Sequence, residues 1–373
     1  MERRSFLKKA GVGLAAGGVA ATAAAPAIAQ SQPAVQWRMA SSFPKGLDTL
    51  FGTAEMISRR VSEITEGRFQ IRVSAAGEIV PPLQVLDAVQ AGTIECGHTA
   101  PYYYVGKDPA FAFGTAVPFG LNARQQNAWM YAGGGAEAMD GLFKEYNCVQ
   151  FPAGNTGTQM GGWFRKEIRT VADLKGLKFR IAGLAGQIFQ RLGVVPTQIA
   201  GGEIYQSLER GTIDAAEWVG PYDDEKLGLA KVAKFYYYPG FWEGGAMLSS
   251  LVNAKQWASL PKHYQAAFEC ACAEANSHML ARYDARNTDA LRKLVGGGAQ
   301  LRPFSRAIME AAEKVAYELY DEISAKSPHW KRIYPQWRKF RDDQYLWFRV
   351  AENAFDSFSY SPRTGAAKGA AKK

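Results

Sequence analysis

A chain of 373 residues with 47% apolar and 21% charged residues has material for two ordinary hydrophobic cores, which excludes a disordered chain or one small domain. The formal charge is +9, but Glu2, Arg3, Arg4, Lys8 and Lys9 contribute +3 of it and further lysines follow Ser361, so the body is only mildly basic. Its Lys and Arg are dispersed rather than gathered on a stripe, which argues against nucleic acid as a partner.

The first element is a targeting segment. Arg3-Arg4-Ser5-Phe6-Leu7-Lys8 is a twin-arginine pattern, followed by an Ala/Gly run and Ala27-Ile28-Ala29, a small-x-small cleavage site before Gln30. Residues 1–29 therefore read as a signal that sends the chain to the periplasm, and no later stretch approaches the roughly 20 apolar residues a membrane span needs. Of the cysteines, Cys270 and Cys272 are two apart in a helical segment and point away from each other. Four buried free thiols is the expectation, with a Cys96–Cys148 bridge left open.

In the body, Gln36–Ser41 reads as a strand, and Leu47, Leu50, Phe51, Ala54, Ile57, Ser58, Val61 and Ile64 step by three and four as one helix face, stopped by Gly67. Strand Phe69–Val73, a helix near Pro82–Ala91 and strand Thr93–His98 complete a βαβαβ unit. After a Gly-rich helix pair come strand Val149–Pro152, the loop Ala153–Gln159, strand Lys178–Ile181, helices Gln187–Leu192 and Ile204–Glu209, and strand Thr212–Trp218. The aromatic stretch Phe235–Trp242 is expected to cross back to the first lobe.

The order of elements repeats. Gln90-Ala91-Gly92-Thr93-Ile94-Glu95 is echoed by Glu209-Arg210-Gly211-Thr212-Ile213-Asp214, and Phe69–Val73 with Gly77 resembles Leu177–Ile181 with Gly186. The repeat implies two similar α/β lobes with a cleft between them. The expected boundaries are 30–149 plus about 242–300 for lobe I, 150–241 plus about 301–330 for lobe II, and 331–373 for a C-terminal helix and disordered tail. In that helix Trp337, Phe340, Gln344, Trp347, Ala351, Ala354 and Phe358 form one apolar seam, which serves either packing on the parent lobe or a second copy.

Ligands in open α/β sheets bind outside the carboxyl ends of strands, which points to Tyr102, Tyr103, Asn155–Trp163, Arg180, Glu217 and Trp218. No dinucleotide, P-loop, nucleophile-elbow or zinc-protease motif occurs in the mature chain, and Ser42-Phe43-Pro44-Lys45 lacks the companions of a Ser-x-x-Lys enzyme. His98 at a strand end reads as a hydrogen-bonded structural residue, and an enzyme is disfavoured. Arg180, flanked by Phe179 and Ile181, suits either a ligand carboxylate held bidentately or a structural pair with Glu217. Glu217, set among Ala215, Ala216 and Trp218, requires a cation, whether Arg180 or a metal.

Gly154–Arg165, Gln198–Tyr205, Ala216–Asp224 and Tyr236–Gly245 resemble the substrate-binding subunits of TRAP transporters, the tripartite ATP-independent periplasmic importers, in their 2-oxo (α-keto) acid-binding, TakP-type branch. The resemblance implies a two-lobed Venus-flytrap α/β fold with a central cleft and a long C-terminal helix. It also implies a small monocarboxylate ligand such as pyruvate, with lactate or another carboxylate as alternative, a cation in the site, delivery to membrane permease subunits and a helix-swapped homodimer. By position Arg180 would hold the carboxylate with Asn155 and Gln159 nearby. The Gln159 side-chain oxygen, Glu217 and the Trp218 carbonyl would hold the cation, and Tyr102, Tyr103, Trp163 and Glu243 would line the cleft. Arg180 plus a monovalent ion balance Glu217 plus the ligand, which favours Na⁺ and leaves Ca²⁺ open if Glu243 joins. Phe241-Trp242-Glu243 departs from the branch's Trp-Trp-Glu and is expected to widen the pocket.

Overall fold

A computed structural model describes residues 33–361; the signal segment and the Ala/Gly/Lys tail lie outside them. Residues from Val35 onward form one unit. Its strands are β1 (Val35–Ser41), β2 (Phe69–Ser74), β3 (Cys96–Thr99), β4 (Cys148–Asn155), β5 (Gly162–Phe164), β6 (Lys178–Arg180), β7 (Val195–Thr197), β8 (Ala215–Ala216), β9 (Phe235–Tyr238), β10 (Met247–Asn253) and β11 (Gln300–Pro303). They make two mixed sheets, ordered β2-β1-β3-β10-β4 and β11-β9-β5-β8-β6-β7. Helices cover both, giving the two-lobed α/β architecture.

The first lobe follows the hydrophobic pattern. Leu47, Leu50, Phe51, Ala54, Ile57 and Val61 are all buried on or beside the helix Leu50–Ile64, whereas Ile64, its last residue, is 47% exposed. The parallel pairs β1–β2 and β1–β3 confirm the βαβαβ unit. In the second lobe β6 runs parallel to both β7 and β8.

The echo of Gly92 and Gly211 is a shared turn. Each follows a short helix, Val85–Gln90 or Ile204–Glu209, and each adopts φ +71°, which favours glycine. The acidic residue closing each copy accepts from a neighbouring strand: Arg38 N donates to Glu95 Oε2 over 2.8 Å, and Lys178 N to Asp214 Oδ2 over 3.0 Å. The pairing therefore makes β1 the counterpart of β6, and β2 that of β7. The expected match of Phe69–Val73 with Leu177–Ile181 is thus corrected: both alternate apolar residues, but β2 is an edge strand and β6 an interior one. By register Arg180 corresponds to Ala40, and Glu217 to His98.

Two crossings differ from expectation. The strand near Val149–Pro152 belongs to the first sheet as the edge strand β4, and the chain passes to the second sheet only after Asn155. The aromatic β9 stays in the second sheet, pairing β5 and β11, and ends at Pro239, which has no amide proton to donate. The return strand is β10, fully buried and antiparallel to both β3 and β4. The 35-residue helix Lys262–Gly296 packs on the first lobe through Tyr264, Phe268, Ala271 and Ala275, and its far end leads to β11 in the second sheet.

The C-terminal seam divides. In Pro328–Val350, Trp330, Ile333, Tyr334 and Trp337 are buried in the main core, and the Tyr345 hydroxyl donates to the carbonyls of Phe119 (2.8 Å) and Gly120 (2.7 Å). Beyond it Leu346 (66%), Trp347 (56%), Val350 (67%) and, in the helix Glu352–Tyr360, Phe358 (83%) face outward. All four cysteines are free; Cys270 is exposed, against the expectation that all would be buried, because it falls on the outer face of the long helix.

Candidate functional site

Arg180 is the last residue of β6, at its carboxyl end, and its side chain is 1% exposed. One Nη1 donates to the backbone oxygen of Glu217 at 2.7 Å and ion-pairs with the Glu217 carboxylate, while Nε donates to Ile199 O at 3.2 Å. The guanidinium lies 5.1 Å from the centre of the Trp218 ring, a cation–π contact in a dry setting. Glu217 follows β8 directly, so the β6–β8 pairing brings the two charges together. The structural pair and the buried setting both hold.

Glu243 joins them. It is 1% exposed, and burial followed by the adjacent Glu217 charge pushes its carboxyl well above the usual range. Burial likewise lifts Glu217, against the pull of Arg180. Glu217 Oε2 and Glu243 Oε1 are buried with no hydrogen-bond partner. The amide end of Gln159 lies 2.7 Å from both Trp218 O and Glu243 Oε2. Carboxylate, amide and backbone oxygens thus converge with acceptor capacity to spare, a donor set that fits a hard cation such as Na⁺ or Ca²⁺. No group of three or more His, Cys, Asp or Glu among the described residues could hold a metal, so ligation here rests partly on neutral oxygens.

Beside this cluster is a narrow pocket lined by Phe43, Leu50, Ala100, Tyr102, Tyr103, Thr156, Gln159, Trp218, Val219, Ala246 and Leu248. Gln159 and Trp218 belong to both wall and cluster; Arg180, Glu217 and Glu243 do not form the wall. The lining is mostly apolar, with Thr156 and Gln159 as its polar side chains beside the tyrosines, and it comes from both lobes. Tyr102 and Tyr103 stack with centroids 5.1 Å apart in the turn Pro101–Tyr104. They meet the second lobe at Gly183, at φ +67°, where a Cβ would come 2.7 Å from the Tyr102 ring.

Other sequence-derived residues are placed differently. Asn155 is fully buried but spends its side chain on the crossover, accepting from Gly157 N at 2.9 Å and donating to Gly245 O at 3.4 Å. Trp163 lies behind the cavity wall, stacked on Tyr236 at 4.0 Å and donating to Asp224 Oδ2 at 2.9 Å. Phe241 stacks on Phe119 at 4.6 Å in the core, so the expected widening of the pocket does not follow. His98 is structural: Nε2 bonds Ala153 O at 2.9 Å, and burial pushes its pKa down to about 4.

Sequence reasoning missed Phe43 and the carboxylates Asp223 and Asp224. The last two lie inside the long motifs quoted for this family, the only signal that marked them. Asp223 accepts from Thr49 and Tyr283 hydroxyls, both at 2.6 Å, and Asp224 from Tyr236 at 2.6 Å. Burial lifts Asp223 to about 6 and Asp224 to about 7.

Residues 40–327 match the DctP family model, bacterial extracellular solute-binding protein family 7. A monocarboxylate 2-oxoacid-binding periplasmic protein of Nostoc sp. is 56% identical over 88% of this chain and 90% of its own. A TRAP transporter solute-binding protein of Bordetella bronchiseptica, a mixed-occupancy dimer with copurified calcium and picolinate, is 53% identical with TM-score 0.87 over 88% of this chain and 98% of its own. Counterparts from Colwellia psychrerythraea with calcium and pyruvate, and from Pseudoalteromonas atlantica with sodium and pyruvate, are each 37% identical with TM-score 0.84. The first covers 87% of this chain and 99% of its own, the second 88% and 99%. This chain belongs to the DctP family of bacterial extracellular solute-binding proteins, the binding subunits of TRAP transporters.

Proposed function

We propose that the chain is a periplasmic binder of a small 2-oxo acid of the pyruvate class, taken together with Na⁺ or Ca²⁺ and passed to TRAP permease subunits. The observation that carries this is the buried convergence of Arg180, Glu217, Glu243, Gln159 and the Trp218 carbonyl beside a narrow pocket that shares Gln159 and Trp218. Arg180 holds the ligand carboxylate; Gln159, Glu217 and Trp218 O hold the cation, with Glu243 beside them. The cation supplies positive charge to the acid's own oxygens. Tyr102 and Tyr103 close over the guest, and Asn155 and Trp163 support the wall from behind. The chain acts as a binder, in keeping with its solute-binding family.

The lobes divide by sheet membership, with crossovers at Thr156, near Ala246 and after the long helix Lys262–Gly296. Export is by the twin-arginine segment, and the outward-facing Leu346, Trp347, Val350 and Phe358 support a homodimer by exchange of C-terminal helices. A second reading, a wider class of carboxylates with a chelating atom beside the carboxyl, is favoured by the copurified picolinate of the Bordetella relative. Calorimetry with pyruvate, 2-oxobutyrate, lactate and picolinate, each with Na⁺, Ca²⁺ or chelator, tests both. Pyruvate binding that ignores every cation rejects the first reading, and picolinate tighter than pyruvate selects the second.

A further inference from the structure

The Gln159 amide can face its neighbours either way round; only one way is satisfied without a positive charge, and one residue contacts it in both. With its amide nitrogen toward Thr156, Nε2 donates to Thr156 Oγ1 at 3.0 Å, Thr156 donates to Gly157 O at 2.9 Å, and the Gln159 oxygen faces Trp218 O and Glu243 Oε2. Turned over, Nε2 donates to Trp218 O and Glu243 Oε2, both at 2.7 Å, and the oxygen accepts from Thr156. The first orientation groups three oxygens, which is favourable only around a positive charge; the second is a neutral hydrogen-bonded arrangement.

A hydroxyl is donor and acceptor at once, so Thr156 can follow either state. It is 3% exposed and held rigidly: its own N donates to Ala246 O at 3.0 Å, and the next residue's N is bound by Asn155. We propose that Thr156 is a positioning residue that aims the Gln159 carbonyl at the cation by accepting from its amide while donating to Gly157. This rests on the cation reading above. The cation-facing state uses both Thr156 bonds, the other only one, so deleting the hydroxyl penalises the cation-facing state more.

The test titrates Ca²⁺ and Na⁺, each alone, into the full mature chain by calorimetry. Thr156→Val is expected to weaken cation binding about tenfold, the effect of one buried amide left without an acceptor, and Thr156→Ser to stay within about twofold. In a Gln159→Glu background, where both ends are oxygen, the valine penalty should shrink to about twofold. Valine equal to threonine, or an undiminished penalty in the Gln159→Glu background, overturns the proposal alone. A parent chain whose calorimetry shows no cation binding overturns the cation reading and this inference with it. Should Thr156→Val not fold, Thr156→Ala deletes the hydroxyl without a new methyl and carries the same expectations.

Discussion

Thr49, just ahead of the first-lobe helix Leu50–Ile64, donates to Asp223 Oδ1 over 2.6 Å, joining that lobe to the second-lobe helix Pro221–Lys226. Beside it Asp48 pairs with Lys226 of the same second-lobe helix and with Arg282 of the long helix, and accepts from Tyr222 at 3.1 Å. Thr49 and Asp223 are both buried, and these bonds tie the two lobes without using Arg180, Glu217, Glu243 or Gln159. Thr49→Val should leave the chemistry of the site unchanged yet raise the ligand off-rate about three- to tenfold, read by stopped-flow fluorescence. An unaltered off-rate would mean the contact does not gate release.

Removing Arg180 should do two things. Carboxylate binding should vanish, and because Glu217 loses its buried counter-charge, the ligand-free fold should lose roughly 3–5 kcal/mol. Adding Glu217→Gln should restore most of the stability but not the binding. Denaturant unfolding beside calorimetry separates the two effects; a single variant as stable as its parent would contradict the buried pair.

Glu243 is expected to set the charge of the cation. With Arg180 opposed by Glu217, Glu243 and a ligand carboxylate, a divalent ion closes the sum; with Glu243 protonated, a monovalent ion does. Glu243→Gln should weaken Ca²⁺ binding by roughly 10–100-fold and spare Na⁺. Since burial and the adjacent Glu217 charge push the Glu243 carboxyl well up, Ca²⁺ affinity in the parent should rise as pH rises above the ordinary carboxylate range. Parallel losses for both ions would refute the selector role.

Stability of the ligand-free protein should run the other way. Asp224, lifted from 3.8 to about 7, and Asp223, lifted to about 6, keep protons in the folded state that the unfolded chain releases. Their contribution is complete below pH 3.8 and is lost as pH rises through about 7. The Tm should therefore be lower at about pH 8 than at about pH 5, and Asp224→Asn should flatten that slope. An unchanged slope in the variant would assign the dependence elsewhere.

The outward apolar face of the last helices has its own test. Trp347→Lys with Phe358→Lys should give a monomer by light scattering, with acid binding intact. A dimer that survives both changes is not held by this face.

Much of the site was legible because charge is conspicuous in an apolar strand: Arg180 between Phe179 and Ile181, and Glu217 after two alanines, need each other once β6 and β8 pair. The turn at Gly92 and Gly211 was equally readable, since its glycine and trailing acid each do one job. What failed were features decided by partners far along the chain. Trp163 and Asn155 lie in the right motif, yet the first is claimed by Asp224 and the second by the crossover. Asp223 and Asp224 follow Pro221 as a helix's first-turn acids usually do in water; only tertiary contact with Thr49, Tyr236 and Tyr283 buries them. The alternating strands β2 and β6 read alike because period two reports burial and not position in a sheet.

The outgoing strand β4 and the returning strand β10 stay hydrogen-bonded to one another as far as the Asn155–Met247 pair, where the register shifts. This double crossing is consequently a laced ribbon and not a pair of loose tethers, with the long helix Lys262–Gly296 as a third connection. A ribbon flexes across its face and resists sliding along its length, so any opening at this crossing should be a swing and not a slide.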